Sequence, residues 1–390
     1  MAEITLPRAD GTLERYSIRN TPLPVSAGAA RPTFNRIAYA AAHVVVDPLA
    51  ATAPWVESRI DWGATIGFRE YLWDLGLGVA EAMDTAQRGM GLSWPEAQEL
   101  IRHALAAAKR RPGALIACGV GTDQLAPSPS VTLDDVLRAY EEQFAFVESL
   151  GGRVILMASR ALAAAAKGPD DYIGVYDRLL GNARQPVILH WLGEMFDPAL
   201  TGYWGHADAD RAMDVAVDII NAHAGKVDGI KISLLSAEKE IAMRRRLAPG
   251  VKMYTGDDFN YAELIAGDTA GYSHALLGIF DAIAPAASAA LAALAANDRA
   301  GFDRILAPTV PLSRLIFEAP TRFYKTGVVF LAWLNGLQDH FLMLGGQQSA
   351  RSLVHFAEIF RLADAARMLR DPDLAAARMR ALLAIGGVEG

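Results

Sequence analysis

This chain has very little cysteine and fewer basic than acidic residues. Its 390 residues include a single cysteine, Cys118, which cannot form an internal disulfide bond. Nothing in the sequence therefore favours an oxidising compartment, and we expect a cytoplasmic protein. Acidic residues outnumber basic residues by 44 to 37, which gives a formal net charge of -7. Because nucleic-acid binding requires a basic face to neutralise phosphates, this balance argues against a nucleic-acid partner.

Secretion and membrane signals are also lacking. The first fourteen residues carry four charged side chains and do not show the charged-then-apolar pattern of a signal peptide. The apolar, Ala-rich stretch 271–297 is interrupted by His274, Asp281 and Pro285. These interruptions predict a buried helical segment rather than a transmembrane helix, so no membrane partner is expected.

What the chain does contain is a regular alternation of short apolar runs and longer helical patterns. With 52% hydrophobic and 21% charged residues, the composition is that of a globular protein. The alternation is typical of βαβ units, and eight strand candidates fit a closed (β/α)8 TIM barrel better than an open sheet. The predicted strands are 36–47, 77–84, 114–119, 153–159, 186–191, 228–233, 251–256 and 269–274. The predicted intervening helices include 94–111, 133–150, 170–180, 208–224 and 237–246.

The two ends of the chain lie outside this alternation. Residues 3–18 predict a β-hairpin around Asp10-Gly11, and the proline-containing stretch 19–35 is typical of a linker. From residue 276 onward the strand signal disappears and the pattern is helical. We therefore expect an α/β protein with three parts: an N-terminal hairpin and linker (1–35), a (β/α)8 barrel (36–290) and a C-terminal helical region (291–390).

Lys231 is the most informative single residue. It lies in the strand candidate 228–233, where alternation directs the flanking isoleucines outward and Lys231 toward the barrel axis. Burial lowers the pKa of an amine and leaves more of it neutral, which is the condition for attack on a ketone or aldehyde. The alternative is a lysine paired with a buried carboxylate such as Glu81.

Motifs around Lys231 resemble those of a known superfamily, the dihydrodipicolinate synthases and N-acetylneuraminate lyases, in the order in which that superfamily has them. Gly229-Ile230-Lys231 resembles its Schiff-base strand. The resemblance covers roughly residues 36–340, and it implies a class I lyase or aldolase that needs no metal or organic cofactor. The other matching stretches are Ala117-Cys118-Gly119-Val120-Gly121-Thr122, Thr255-Gly256-Asp257-Asp258, Ala270-Gly271-Tyr272-Ser273, and Phe317-Glu318-Ala319-Pro320 with Lys325. From these motifs we expect five substrate-binding residues: Gly121, Thr122, Gly256, Asp257 and Ser273.

The chain departs from the superfamily pattern after its second strand. Two adjacent threonines are usual there, but here Thr85 is followed by Ala86. Thr85 is still an expected substrate-binding residue, and Arg88 is a candidate clamp for a substrate carboxylate. The alternative for Arg88 is an ordinary surface position on the loop.

The residues that transfer protons in the superfamily are also replaced in this chain. The stretch 156–160 lacks the tyrosine that usually ends the fourth strand, and it closes on Arg160, another expected substrate-binding residue. At the end of the fifth strand His190-Trp191 replaces a tyrosine-asparagine pair. Since the unperturbed pKa of histidine lies near neutrality, His190 is the candidate catalytic proton shuttle. The alternative is a hydrogen-bonded core histidine.

The long loop 193–206 follows the fifth strand and is expected to roof the active site. Glu194, Tyr203 and Trp204 are candidates to contact a polyol or sugar-derived substrate, and packing of the loop is the alternative role.

Three functions remain open from the sequence. The first is a Schiff-base-forming lyase, aldolase, dehydratase or synthase, in which Lys231 attacks a 2-oxo acid and the substrate is a small carbonyl compound. The second is a metal-dependent lyase or hydrolase using His190, Glu194 and His206, with Asp257 as a further ligand. The third is a non-catalytic ligand-binding barrel. The resemblance implies a homodimer or homotetramer, and the apolar stretch 328–334 is either its interface or buried within one subunit.

Overall fold

The computed structural model describes residues 3–24, 31–57 and 59–388. These residues contain a closed barrel in which every neighbouring pair of strands is parallel, in the cyclic order β3-β4-β5-β6-β7-β8-β9-β10. The fold is a TIM barrel, as the alternating pattern predicted. The described strands are β1 (Glu3–Pro7), β2 (Leu13–Ser17), β3 (Ala38–Ala41), β4 (Gly78–Glu81), β5 (Ile116–Val120), β6 (Arg153–Met157), β7 (Val187–Leu192), β8 (Val227–Ser233), β9 (Lys252–Thr255) and β10 (His274–Leu277).

Helices connect the strands and make up most of the last hundred residues. Ser93 begins the helix after β4 with a capping box that Glu96 completes, so two otherwise unpaired backbone N–H groups are satisfied there. The described helices are α1 (Trp62–Asp74), α2 (Trp94–Lys109), α3 (Leu133–Ser149), α4 (Arg160–Ala165), α5 (Pro169–Asn182), α6 (Ala209–Ala222), α7 (Ala237–Arg244), α8 (Tyr261–Ala266), α9 (Ile279–Ala282), α10 (Ala284–Ala295), α11 (Arg299–Leu306), α12 (Thr309–Ile316), α13 (Tyr324–Leu334), α14 (Leu353–Ala365) and α15 (Pro372–Ile385). Among the described residues, no helix is both long and apolar enough to cross a membrane.

The chain divides into two compact units, and the barrel strands belong to the unit formed by 36–42 and 78–277. Alternate residues of each strand point into the barrel, where a buried cluster includes Tyr39, Ala80, Ile155 and Tyr254. The barrel is therefore a packed core rather than an open pore, and polar groups for chemistry are expected at the carboxyl ends of its strands.

The last barrel strand differs from the prediction. Strand 269–274 was expected, but β10 runs from His274 to Leu277, because the residues before it form a turn. Asp268 and Gly271 are bridged by backbone hydrogen bonds, the Asp268 side chain accepts from the Ala270 N–H, and Gly271 has a φ of 147°. Ser273 thus precedes the strand instead of ending it.

The second compact unit combines three segments of the chain, 1–35, 43–77 and 278–390. The predicted hairpin is present: β1 and β2 pair in antiparallel register, with Gly11 at a φ of 83° in the turn. Helix α13 contains the apolar stretch 328–334, and all eleven residues of the helix are buried. Of the two predicted roles for that stretch, burial within the subunit is the one observed. The predicted division at residues 35 and 290 stays a prediction.

Candidate active site

A cavity of about 320 Å³ lies in the barrel unit, where β4, β5, β6 and β7 end. Because all strands of a parallel barrel run in one direction, their carboxyl ends bring loop residues from different strands together at this face. We call it the central cavity. Its polar lining includes Asp84, Arg88, Thr122, Ser159, Arg160 and His190.

Lys231 lies on β8 at the same level as His190 on β7 and Tyr254 on β9. It is 6% exposed, and it lies beside the cavity-lining His190 rather than in the cavity wall itself. Burial lowers the pKa of Lys231, and the carboxylates of Asp84 and Asp258 partly oppose that change. Glu81, the partner considered from the sequence, is not among the carboxylates that shift this pKa.

The His190 imidazole is buried next to Lys231, and its Nε2 lies 3.4 Å from Ser233 Oγ. Burial, and secondarily the charge of Lys231, holds the pKa of His190 well below its ordinary value. The unperturbed pKa near neutrality, which made His190 a candidate proton shuttle, therefore does not hold in the buried site, and its catalytic role stays a prediction. A histidine in this state is neutral at physiological pH and is a weaker base than an exposed histidine.

Arg88 is neither a free carboxylate clamp nor a surface residue. Its guanidinium is buried and has five N–H groups, the full complement of arginine. Nε and Nη2 donate to the two carboxylate oxygens of Asp123, Nη2 also to Gln143 Oε1 at 2.9 Å, and Nη1 to two backbone carbonyl oxygens at 3.2 and 3.3 Å. Five donors meet five acceptors, so Arg88 has no N–H group left for a substrate.

Arg160, unlike Arg88, has N–H groups that are not used in hydrogen bonds to the described residues. Its Nε donates to Asp197, while among the described residues its two terminal nitrogens donate to no protein acceptor. Nη1 lies over Gly89, so close that a β-carbon at Gly89 would be 2.9 Å from it. Arg160 therefore presents up to four N–H groups at the cavity, and its side chain is 40% exposed at the rim.

The other expected binding residues are divided between the cavity and its surroundings. Gly121 and Thr122 line the cavity, and the Gly121 N–H donates to Gln143 Oε1 at 2.7 Å. Thr85 is buried and is not part of the cavity lining. Gly256 packs directly on Lys231, because a β-carbon at Gly256 would lie 2.7 Å from Lys231 Cε.

Asp257 and Ser273 are held in structural hydrogen bonds outside the cavity lining. The Asp257 carboxylate accepts from the Phe259 and Asn260 backbone N–H groups and from the Asn260 side chain. Ser273 precedes β10 and donates to Glu240 Oε1 at 2.6 Å. Burial raises the pKa of Glu240 to about 8. The predicted position of Ser273 at a carboxyl strand end was therefore wrong, since β10 begins only at His274.

The loop after β7 forms a second pocket of about 280 Å³, which Glu194, His206 and Lys239 help to line. His190 lies in the central cavity instead, and in the described ranges no group of three histidine, cysteine, aspartate or glutamate residues is arranged to hold a metal ion. The structure therefore does not place the three predicted metal ligands in the lining of one pocket. Trp204 is buried against Tyr176 and Trp191, so it packs the loop.

Several features of this site were not predicted from the sequence. Asp84 lines the cavity and acts on the pKa of Lys231, and its place directly before Thr85 at the end of β4 was a usable signal. Gln143 and Tyr140 lie at helical spacing on one buried face of α3, where Gln143 accepts from the Gly121 N–H and Tyr140 donates to the Met157 carbonyl oxygen. Nothing in the local pattern indicated that Tyr203 reaches the backbone of Ser159 from a different loop.

The comparisons with known proteins agree with this architecture. The family described as "Protein of unknown function (DUF993)" matches residues 4–388, and no curated protein sequence matches the chain. YagE of Escherichia coli K12, a prophage protein of the dihydrodipicolinic acid synthase family solved with pyruvate, aligns with a TM-score of 0.63 at 14% identity, covering 91% of this chain and 100% of that one. A chloride-inhibited dihydrodipicolinate synthase from Acinetobacter baumannii, also solved with pyruvate, aligns with a TM-score of 0.60 at 17% identity. The alignment covers 86% of this chain and 100% of that one. The dihydrodipicolinate synthase from Aquifex aeolicus aligns with a TM-score of 0.59 at 12% identity, covering 90% of this chain and 98% of that one. The chain belongs to the DUF993 family and has the fold of the dihydrodipicolinate synthases.

Proposed function

We propose that this protein is a Schiff-base-forming lyase or aldolase of the dihydrodipicolinate synthase type, acting on a 2-oxo acid. The observation that carries the proposal is Lys231, an amine buried inside the barrel beside the central cavity, with a pKa that burial lowers. A lysine in this state has a larger neutral fraction than a surface lysine and attacks a carbonyl carbon more readily.

The chemistry follows from the adduct. The neutral amine of Lys231 adds to the keto carbon, water leaves, and the resulting iminium draws electrons from the adjacent carbon–carbon or carbon–hydrogen bond. His190, which lies at the same level on the neighbouring strand β7, accepts the proton that this step releases. No metal or organic cofactor takes part in this sequence of steps.

The cavity lining supports an acidic, hydroxylated substrate. Arg160 provides unused N–H groups in a planar arrangement that suits a carboxylate, whereas the donors of Arg88 are all occupied. Asp84, Asp123 and Asp197 line the same cavity and offer acceptors for substrate hydroxyl groups. A sugar-derived 2-oxo acid combines both features, and pyruvate, which is bound in the YagE structure, is the simplest member of the class.

Borohydride trapping tests the proposal directly. The protein is incubated with pyruvate and a panel of longer 2-oxo acids, reduced, and analysed by intact-mass and peptide-mass spectrometry. We expect a reduced adduct on Lys231 and none in Lys231→Met. Lys252→Met is the matched control, because Lys252 begins the neighbouring strand and pairs with Asp228 at 2.9 Å. Absence of any adduct in the wild-type protein would refute the function.

One alternative is retained, a ligand-binding barrel without catalysis. It is favoured by the stretch 156–160, which has no tyrosine for proton transfer. Saturable binding of a 2-oxo acid by calorimetry, with no reducible adduct, would select this alternative.

We also propose that the protein is a cytoplasmic homodimer or homotetramer. Its single cysteine is a buried free thiol, and Leu49, Trp55 and Val56 are at least 85% exposed. Exposed apolar side chains so close together in the chain suit a contact between subunits. Sedimentation equilibrium gives the mass in solution, and a monomer would exclude this assembly.

A further inference from the structure

Ser233 is a buried hydroxyl group on the same face of its strand as Lys231. It lies on β8 two residues after Lys231, and because residues of a strand alternate between its faces, the two side chains point to the same side. Ser233 is 1% exposed, and the chemistry proposed above gives it no role. A hydroxyl group beside the nucleophile is a candidate for proton transfer.

The turn after β9 shows how close the two side chains are. A β-carbon at Gly256 would lie 2.7 Å from Lys231 Cε and closer still to Ser233 Oγ, so these two atoms lie within about 5 Å of each other. The amine of Lys231 is one bond beyond Cε, and the oxygen of a carbinolamine formed on that amine is two bonds further. Ser233 Oγ is therefore within hydrogen-bonding reach of a substrate oxygen attached at Lys231.

His190 contacts the same hydroxyl group. Its Nε2 lies 3.4 Å from Ser233 Oγ, and His190 is opposite Lys231 on the neighbouring strand. A serine hydroxyl donates one hydrogen bond and accepts two. With the proton of the neutral imidazole on Nε2, His190 occupies one acceptor position. In the described part of the chain, the O–H group and one lone pair of Ser233 then remain for the substrate and the amine.

We propose that Ser233 is a catalytic residue that carries protons between the Lys231 amine and the substrate oxygen during formation of the Schiff base. This inference rests on the proposed function. It provides a hydroxyl group for proton transfer, which the stretch 156–160 no longer offers as a tyrosine, and it places that group on the strand of the nucleophile itself.

The addition step balances in atoms and charge. The nitrogen lone pair of Lys231 forms the bond to the keto carbon while the π electrons of the C=O bond move to the oxygen, which gives an ammonium group and an alkoxide. Ser233 gives its hydroxyl proton to the alkoxide and takes a proton from the ammonium nitrogen. The product is a neutral carbinolamine, Ser233 is unchanged, and no net charge remains in the buried site.

The same exchange then removes water. The carbon–oxygen bond of the carbinolamine breaks as the nitrogen lone pair forms the C=N bond, and the departing oxygen takes the Ser233 proton and leaves as water. Ser233 takes the remaining N–H proton, and a proton from solvent converts the neutral imine into the iminium. Direct transfer between nitrogen and oxygen would need a strained four-membered ring, which the hydroxyl bridge avoids.

The test compares two reactions of the same amine. In the first, the protein is mixed with saturating pyruvate and quenched with borohydride at successive times, and the adduct is quantified by intact mass. In the second, bromoacetate, an acid close to pyruvate in size, alkylates Lys231 by displacement of bromide and forms no alkoxide. We expect Ser233→Ala to slow adduct formation about 100-fold with an unchanged final extent. Alkylation of Lys231, measured by peptide mass, should keep its wild-type rate.

A matched serine supplies the control. The Ser288 hydroxyl is also buried, but it donates to the Leu75 carbonyl oxygen within the other compact unit, so Ser288→Ala should form adduct at the wild-type rate. A wild-type rate in Ser233→Ala overturns the inference alone. Equal slowing of the alkylation also overturns it, because Ser233 would then act on the position of the amine and not through a proton. No adduct in the wild-type protein overturns the proposed function together with the inference.

Discussion

Replacing Gly256 by alanine tests the close approach between the turn after β9 and Lys231. A β-carbon at Gly256 would lie 2.7 Å from Lys231 Cε and 2.8 Å from the Ile232 carbonyl oxygen, and it would also overlap Ser233 Oγ. The carbonyl oxygen belongs to β8 and cannot move without breaking the sheet, so the lysine chain must shift. Overpacking of this kind costs about 1–3 kcal/mol.

We therefore expect Gly256→Ala to lower the free energy of unfolding by about 1–3 kcal/mol and to reduce the rate of adduct formation at Lys231 at least tenfold. Urea denaturation measures the first effect and timed borohydride trapping the second. Gly225→Ala is the matched control, because no atom lies within 4 Å of the added methyl group. Wild-type stability together with wild-type trapping in Gly256→Ala would show that Lys231 does not occupy the described position.

Three further predictions follow from the site. The pKa of Glu240 is about 8 in the folded protein and ordinarily 4.5. Its contribution to the free energy of unfolding is therefore fully present below about pH 4.5 and is lost as the pH rises through about 8. Glu240→Gln should flatten the pH dependence of the stability toward urea in that window. Arg88→Gln leaves the Asp123 carboxylate without its main partner and should lower the free energy of unfolding by about 3 kcal/mol, with no loss expected if the pair is solvated. Arg160→Gln should raise the pyruvate concentration for half-maximal trapping at least fivefold, while an unchanged concentration would remove Arg160 from the binding site.

The periodic features of the fold were predictable from the sequence. Alternating apolar runs and helical patterns predicted the TIM barrel, and the inward position of Lys231 follows from the two-residue repeat of a strand. The eighth strand was displaced because Thr269 and Tyr272 have high strand propensity, although the Asp268–Gly271 turn has the stronger local preference. Local propensity does not determine where a strand starts when a turn competes for the same residues.

The charge states and long-range partners of the site could not be predicted. The pKa of His190 depends on complete burial beside a lysine of the next strand. Two side-chain partners of Arg88 are Asp123 and Gln143, which lie 35 and 55 residues further along the chain. Sequence spacing carries no information on contacts of this kind.

The discontinuous unit also sets an order of events during synthesis. Its hairpin depends on α14, because Arg361 donates to Glu14 and to the Pro7 carbonyl, and Tyr16 donates to Asp364. On the ribosome the hairpin is made before the barrel strands, yet these partners are made about 350 residues later, after the whole segment 78–277. The hairpin therefore stays without these partners while the barrel strands emerge and begin to pair. A nascent chain stalled before residue 353 would therefore carry all eight barrel strands, β3–β10, and a hairpin without its partners on α14.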